Sequence, residues 1–180
     1  MSVSLINARL QENFFNTLKA KALRCITLPS HAFFTPTELF WKHLISAVPP
    51  NTQLIECGAG LGTLIEPAKA RGINLHACDL SYREGQHKDV SQIDALALRW
   101  SYRLWPFVCR PDHSGWCLDL ALNALTQGAC FIYVGLEKNF QQDVSEIPKH
   151  YRRSKRRGAV GEEGERMWVF YPNPYHKKEH

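Results

Sequence analysis

The chain has 180 residues, a length that suits one domain with a full core and is short for two. Its composition, 44% hydrophobic and 22% charged, is that of an ordinary soluble globular protein. No apolar run approaches the roughly eighteen residues of a membrane span, and polar residues interrupt the N-terminal segment too often for a signal peptide. The net charge of +5 comes from one stretch, residues 149–157, which carries six positive charges.

The six cysteines are scattered along the chain without a C-x-x-C pair, mostly in apolar stretches. This pattern predicts reduced, buried thiols and a cytoplasmic location. One spacing, Cys109-x3-His113-x3-Cys117, resembles a metal motif. Ligands four residues apart on a strand and a turn would not share a face, so we expect no metal site there.

Two helices are predicted before residue 50. Apolar residues recur with a helical period over residues 4–24. The segment "FFTPTELFWKHLISAVPP" then predicts a helix that begins with a capping box, in which Thr35 is the N-cap, Pro36 the first helical residue and Glu38 the third. The two prolines at 49 and 50 end this helix.

The rest of the chain alternates short apolar runs with helical segments. Strands are predicted at 53–56, 74–78, 107–109, 129–136 and 167–171, and helices at about 63–70 and 115–128. This alternation predicts an α/β domain with a mostly parallel sheet of about six strands. We therefore expect a single domain over 1–180, with N-terminal helices in 1–50, a Rossmann-like core in 51–172 and a flexible tail in 173–180.

A glycine-rich turn follows the first predicted strand in "LIECGAGLG". Gly58, Gly60 and Gly62 lie two residues apart, whereas a dinucleotide fingerprint would place its third glycine at position 63, which is Thr63. No Gly-Lys-Ser/Thr follows, so a Walker A loop is excluded. Asp79, 21 residues after Gly58, ends the second strand, where a carboxylate can accept from the hydroxyls of a ribose. The pattern predicts a ligand that contains an adenosine.

With these residues the sequence resembles the class I S-adenosylmethionine-dependent methyltransferases. The resemblance implies a Rossmann-like methyltransferase fold that ends in an antiparallel hairpin, and S-adenosylmethionine as cofactor. It places Glu56 and the three glycines around the cofactor and Leu80 on the adenine. A later acid accepts from the adenine amino group, and Asp89 is preferred over the competing Asp94.

Upstream, "FFTPTELFWKHL" is similar to a segment of the adenine-specific DNA methyltransferases. The resemblance implies that Phe34, Thr35 and Pro36 approach the methionine end of the cofactor, although a capping box alone explains the same residues.

After the fourth strand, in "FVCRPDHSGW", Arg110 stands where those enzymes have a hydrogen-bond acceptor, so an adenine-amino activity is disfavoured. Three residues of this segment are the catalytic candidates. His113 would be a base that Asp112 orients or replaces, and Arg110 would hold a substrate phosphate or carboxylate. The aromatic Trp116 would stack on a base. The alternative is an ordinary turn.

The stretch "KHYRRSKRRGAVGEEGERMWVFY" predicts a C-terminal hairpin with positive charge at its tip. Its cations would attract the phosphates of RNA or DNA, although a solvated loop is the competing interpretation. The residues are Arg152, Arg153, Lys155, Arg156 and Arg157. Two functions remain: a methyltransferase, with nucleic acid as the expected substrate, or a non-catalytic module of the same fold that acts through a partner or nucleic acid. The sequence does not predict an oligomeric state.

Overall fold

The computed structural model describes residues 34–112, 114–161 and 163–173. The helix predicted over 4–24 and most of the predicted tail, residues 174–180, lie outside the described residues. Within them, seven strands form one sheet. The helices are α1 (Glu38–Ala47), α2 (Ile65–Ala70), α3 (Trp116–Thr126) and α4 (Glu137–Val144). The strands are β1 (Gln53–Cys57), β2 (Leu75–Asp79), β3 (Val90–Gln92), β4 (Leu104–Cys109), β5 (Phe131–Gly135), β6 (Arg152–Lys155) and β7 (Arg166–Tyr171).

The sheet has the strand order β3-β2-β1-β4-β5-β7-β6. The first five strands pair in parallel, and β7 lies antiparallel between β5 and β6. This arrangement confirms the predicted α/β class and the antiparallel pair at the C-terminal end. The sequence analysis missed β3, which has three residues, and α4, whose sequence EKNFQQDV is mostly polar.

The core lies on both faces of the central strands. Every residue of β4 and β5 is buried, as expected for strands covered by helices on both sides. Helix α1 buries Phe40, Trp41 and Leu44, and the Phe40 ring lies 5.9 Å from that of Phe107 in β4. A 3-10 turn at Ala95–Ala97 connects β3 to the segment before β4.

The capping box predicted for α1 is wrong. The helix begins at Glu38, with Thr37 rather than Thr35 at the N-cap and no side-chain cap. The Thr37 hydroxyl donates instead to the carbonyl of Val160, at 3.1 Å, and Pro36 forms a β-bridge with Gly161. The Thr37 side chain therefore bonds to the loop between β6 and β7 instead of capping α1.

The predicted hairpin is present, but only part of its positive charge, that of Arg156 and Arg157, lies in the loop after β6. The cations Arg152, Arg153 and Lys155 belong to strand β6, at one edge of the sheet. The loop that follows, residues 156–165, carries the contacts to Thr37 and Pro36. Three of the five basic residues thus belong to an edge strand, and the loop packs against the start of α1.

The five cysteines that the structure describes are free and buried, as predicted. Burial raises the pKa of the Cys130 thiol to about 12. Among the described residues, no helix is long and apolar enough to cross a membrane.

Candidate functional site

The glycine turn, residues 58–62, connects β1 to α2 at the carboxyl edge of the parallel strands. All three glycines have positive φ angles, 71° for Gly58, 56° for Gly60 and 72° for Gly62. A Cβ on Gly62 would lie 2.5 Å from Cγ2 of Val90, so close packing also demands glycine there. A Cβ on Gly60 would meet only Arg83, at 3.8 Å. The turn is therefore fixed by packing at one end and open in its middle.

Asp79 ties the glycine turn to the end of β2. Its carboxylate accepts from the backbone N–H of Gly60 at 2.8 Å and from that of Ser81 at 2.9 Å. The side chain is buried, with the Arg83 guanidinium 4.0 Å away. A carboxylate has about four acceptor positions, so these two bonds leave capacity for hydroxyl groups of a ligand.

Glu56, in β1 directly before the turn, is a buried acid with an unsatisfied oxygen. Its Oε2 atom has no hydrogen-bond partner among the described residues. Burial, and secondarily the charge of Asp79, raise the pKa of this carboxyl to about 8. A buried polar group without a partner is costly and is often explained by a role in binding. An ammonium group held over the turn is the kind of donor that would satisfy this oxygen.

The segment between β2 and β3 forms one wall of the turn. As predicted, residues 80–89 contain no helix. Gln86 Nε2 donates to the carbonyl of Gly60 at 2.7 Å, and the His87 N–H donates to that of Leu61 at 2.9 Å. Leu80, directly after Asp79, exposes 57% of its surface. The segment thus presents an apolar side chain beside the buried carboxylate.

The strand register distinguishes the two acids proposed for the adenine. Asp79 pairs with Gln92, so the carboxyl end of β3 is level with Asp79. Asp94 follows that end, and its side chain accepts from the N–H of Leu96. Asp89 precedes β3 and lies one strand length back. Asp94 therefore follows β3 at the edge of the glycine turn, and the adenine contact of Asp89 or Asp94 stays a prediction. The sequence alone did not show this because β3 is so short.

Asp89 belongs to a row of three titratable side chains that the sequence analysis did not identify. His87 Nε2 lies 3.4 Å from a Glu66 oxygen, and Nδ1 lies 3.9 Å from an Asp89 oxygen. In the part of the chain described, this is the one group of three that approaches metal-binding spacing. Because the carboxylates flank opposite nitrogens of the ring, the imidazole bridges two acids, and we assign no metal there.

Arg110 follows β4, and its side chain contacts two acids of the loop between β6 and β7. Nη1 lies 3.0 Å from Glu163 Oε2 and 3.3 Å from Glu165 Oε1. Glu165 is almost completely buried, at 1% exposure, and also accepts from the Glu163 N–H. The sequence analysis assigned Arg110 to a substrate anion and missed both acids, which lie more than 50 positions away.

Asp112 organises the rest of this segment. One carboxylate oxygen accepts from the Ser114 hydroxyl at 2.7 Å and from the Trp116 indole at 2.6 Å. The Trp116 ring reaches the glycine turn, since a Cβ on Gly58 would lie 3.1 Å from it. His113 lies outside the described residues, so its predicted pairing with Asp112 stays a prediction. The structure thus connects the end of β4 to the turn through Trp116.

The residues of the "FFTPTELF" segment lie against the same loop as Arg110. Phe34 is buried and packs edge-on against Phe40, with ring centroids 5.2 Å apart. Gly161 lies between Phe34 and Glu165, where any side chain would overlap both. Thr35 is exposed. The predicted contact of Phe34, Thr35 and Pro36 with a cofactor stays a prediction.

The five basic residues divide into two sets. In β6, Arg152 lies over the Tyr171 ring at 4.3 Å, Arg153 over Phe140 at 5.2 Å and Lys155 over Trp168 at 5.6 Å. Lys155 also forms an ion pair with Glu137. Arg156 and Arg157 lie in the loop, where the carbonyl of Arg157 accepts from His43 Nε2 at 2.8 Å. Stacking orients the three strand cations, and Glu137 neutralises the charge of Lys155.

Comparisons with known proteins show which solved structures have a similar fold. No protein-family model matches the chain, and no curated protein matches it. Among solved structures it is similar to magnesium protoporphyrin IX methyltransferase from Synechocystis PCC 6803 with bound SAM, with 12% identity, a TM-score of 0.50, and 96% of this chain and 86% of that one covered. It is also similar to a structure described for the conversion of a disulfide bond into a thioacetal group during echinomycin biosynthesis, with 11% identity, a TM-score of 0.51, and 82% and 86% covered. The chain therefore has the class I SAM-dependent methyltransferase fold. The likeness to DNA methyltransferases stays a prediction.

Proposed function

We propose that the chain binds S-adenosylmethionine over its glycine turn and transfers the methyl group to an acceptor held at the end of β4. One observation carries this proposal: an open glycine turn lies between a buried ribose-type acid, Asp79, and the unsatisfied carboxyl oxygen of Glu56. These groups match the hydroxyls and the ammonium of that cofactor in kind. When bound, the cofactor would supply a sulfonium methyl group, which the nucleophile of the acceptor takes as the neutral thioether leaves.

The roles of the protein groups follow from their positions. Asp79 would accept from the ribose, Glu56 from the amino group, and Leu80 and Asp94 would contact the adenine from its apolar and polar sides. On the acceptor side, Asp112 stands beside Trp116 and can receive a proton from a protonated nucleophile or orient His113 for that purpose. Trp116 would keep water from the region between Gly58 and the acceptor.

The acceptor class that we propose is nucleic acid, and its support is the edge strand β6. Arg153 and Lys155, two residues apart, share one face of β6, and Arg152 lies on the opposite face. Each is held over an aromatic ring. Cations at such an edge attract phosphodiesters without reading sequence. The second candidate is a non-catalytic module of the same fold. One observation favours the module. Arg110 stands where the adenine-specific enzymes have a hydrogen-bond acceptor, and its guanidinium is already paired with Glu163 and Glu165.

The first experiment is calorimetric titration of the purified chain with S-adenosylmethionine and, separately, S-adenosylhomocysteine. Asp79→Ala should weaken binding by about 1.5–3 kcal/mol, the range for hydrogen bonds to a charged group. The matched control is Glu146→Ala, which removes an exposed acid after α4. Equal binding by the Asp79 variant and wild type would overturn the placement. No binding of either compound would overturn the cofactor proposal.

Methyl transfer to RNA or DNA, measured with a radiolabelled cofactor, separates the two candidates. Asp112→Asn should abolish transfer while cofactor binding remains. A chain that binds oligonucleotides equally well with and without cofactor, and transfers nothing, would support the module.

A further inference from the structure

Arg110 has a strained backbone at the end of a central strand. Its φ angle is 48°, in the left-handed region that non-glycine residues rarely adopt. Its N–H still donates to the carbonyl of Val134 at 2.7 Å, so the chain leaves the sheet only after this last β4–β5 bond. Residues held in such conformations cluster at functional sites. The turn directs the Arg110 side chain toward the loop of residues 156–165.

The two acids on Arg110 differ in how firmly they hold it. The side chain of Glu165 is 1% exposed, whereas that of Glu163 is 63% exposed. A buried ion pair is costly to break, because either partner would be left as an uncompensated charge. An exposed pair contributes only about 0–1 kcal/mol. Glu165 is therefore a permanent anchor for the guanidinium, and Glu163 is a partner that can be exchanged.

The other edge of the guanidinium is not used by these two acids. Both ion pairs are made by Nη1. The side chain is 23% exposed, so part of the guanidinium reaches solvent. The Nε–Nη2 edge is a planar fork that matches two oxygens of a phosphate. An oxyanion at this edge would repel the Glu163 carboxylate. When Glu163 moves away from Arg110, a singly charged oxyanion replaces its negative charge.

We propose that Arg110 is the anion-binding residue of the acceptor site, and that a phosphate group of the acceptor, bound at the Nε–Nη2 edge, drives the Glu163 carboxylate away from Nη1 by charge repulsion. The inference deepens the proposed function, on which it rests, because it names the chemical group of the acceptor that the β4 end recognises. The exchange also provides selectivity. An acceptor without a phosphate at the right distance leaves the Arg110–Glu163 pair intact.

The test is titration of the full-length chain with inorganic phosphate at constant ionic strength, with the NMR signal of the Arg110 Nε–H group as the readout. Glu163→Gln should lower the dissociation constant about two- to five-fold, the amount that corresponds to an exposed pair. Arg110→Lys should raise it at least as much, because lysine keeps the charge but loses the fork. Glu146→Gln makes the same change in net charge elsewhere and should have no effect.

A second probe distinguishes the source of the phosphate. A hexauridylate without terminal phosphate carries only phosphodiesters, so a parallel response to it indicates a nucleic-acid backbone, and a response to inorganic phosphate alone indicates a terminal phosphate.

The proposal is overturned if Glu163→Gln behaves like Glu146→Gln, or if it weakens binding. Titration of the same variants with S-adenosylmethionine keeps the two proposals apart, since Glu163→Gln should leave cofactor affinity unchanged. Absence of cofactor binding in every variant would refute the proposed function and leave the phosphate result to decide the role of Arg110.

Discussion

Two buried glutamates on opposite sides of the site differ in what surrounds them. Glu56, beside the glycine turn, has an oxygen without a protein partner, and its pKa is raised to about 8. Glu165, beside the end of β4, is paired with Arg110 and accepts a backbone N–H. The glycine-turn side thus has an unsatisfied carboxyl oxygen, whereas the β4 end pairs its charges within the protein. Under the proposed function, the first side is ready to bind a cofactor and the second must exchange a partner to bind an acceptor.

The largest expected effect is on the side with the unpaired acid. The pKa of Glu56 is higher in the folded chain than the ordinary 4.5, so the folded state holds this proton more tightly than the unfolded state does. Its contribution to stability is therefore fully present below about pH 4.5 and is lost as the pH rises toward 8. Glu56→Gln should be more stable than wild type by about 3–5 kcal/mol at pH 8 and nearly equal to it at pH 4.5. Urea unfolding at both pH values measures this, and a constant difference would contradict the unpaired state.

Replacing Glu165, the paired glutamate, should have the opposite effect on the free energy of unfolding. Glu165→Gln leaves the Arg110 guanidinium with only its exposed partner and should destabilise the fold by about 3 kcal/mol, the low end for a broken buried pair. Urea unfolding at pH 7 provides the value. Stabilisation by this variant would remove the contrast between the two glutamates.

Within the glycine turn, two substitutions sharpen the comparison between packing and openness. Gly62→Ala must accommodate a Cβ 2.5 Å from Val90 and a φ angle of 72°, so we expect a loss of about 2–4 kcal/mol in unfolding free energy. Gly60→Ala carries the backbone strain without the clash and should cost about 1–2 kcal/mol. Equal losses in the two variants would show that the packing around Gly62 is no tighter than the packing around Gly60.

The smallest effect concerns the exchangeable partner of Arg110. Glu163→Gln should change the unfolding free energy by less than about 1 kcal/mol, because the pair is largely exposed. A loss as large as that of Glu165→Gln would show that the two acids hold Arg110 equally, and the exchange would then be implausible. Thermal unfolding of the two variants side by side makes the comparison.

The features that the sequence predicted are local ones. The glycine turn and Asp79 each follow a buried strand, and both are defined by a few adjacent residues. The features that it missed depend on distant pairings. Arg110 meets Glu165 only because β7 lies next to β5, and the two residues are 55 positions apart. Thr37 likewise bonds to a loop more than 120 positions away, which no capping rule can anticipate.

A short strand left one choice open. β3 has one buried residue in three and no alternating pattern long enough to recognise, so the choice between Asp89 and Asp94 had no basis in periodicity. The register of β2 and β3 shows that Asp94 follows the end of β3 that is level with Asp79, whereas Asp89 precedes the strand. Which of the two acids contacts an adenine stays a prediction.

Within the described residues β3 and β6 are the edge strands of the sheet, and each carries a feature that opposes association with another sheet. At one end β3 is only three residues long, and at the other β6 is a row of cations between which Ser154 is the single neutral residue. Short and charged edge strands discourage the pairing of exposed backbone groups that leads to aggregation. The same positive charges therefore serve colloidal stability, and a polyanion that neutralised them would also remove this protection.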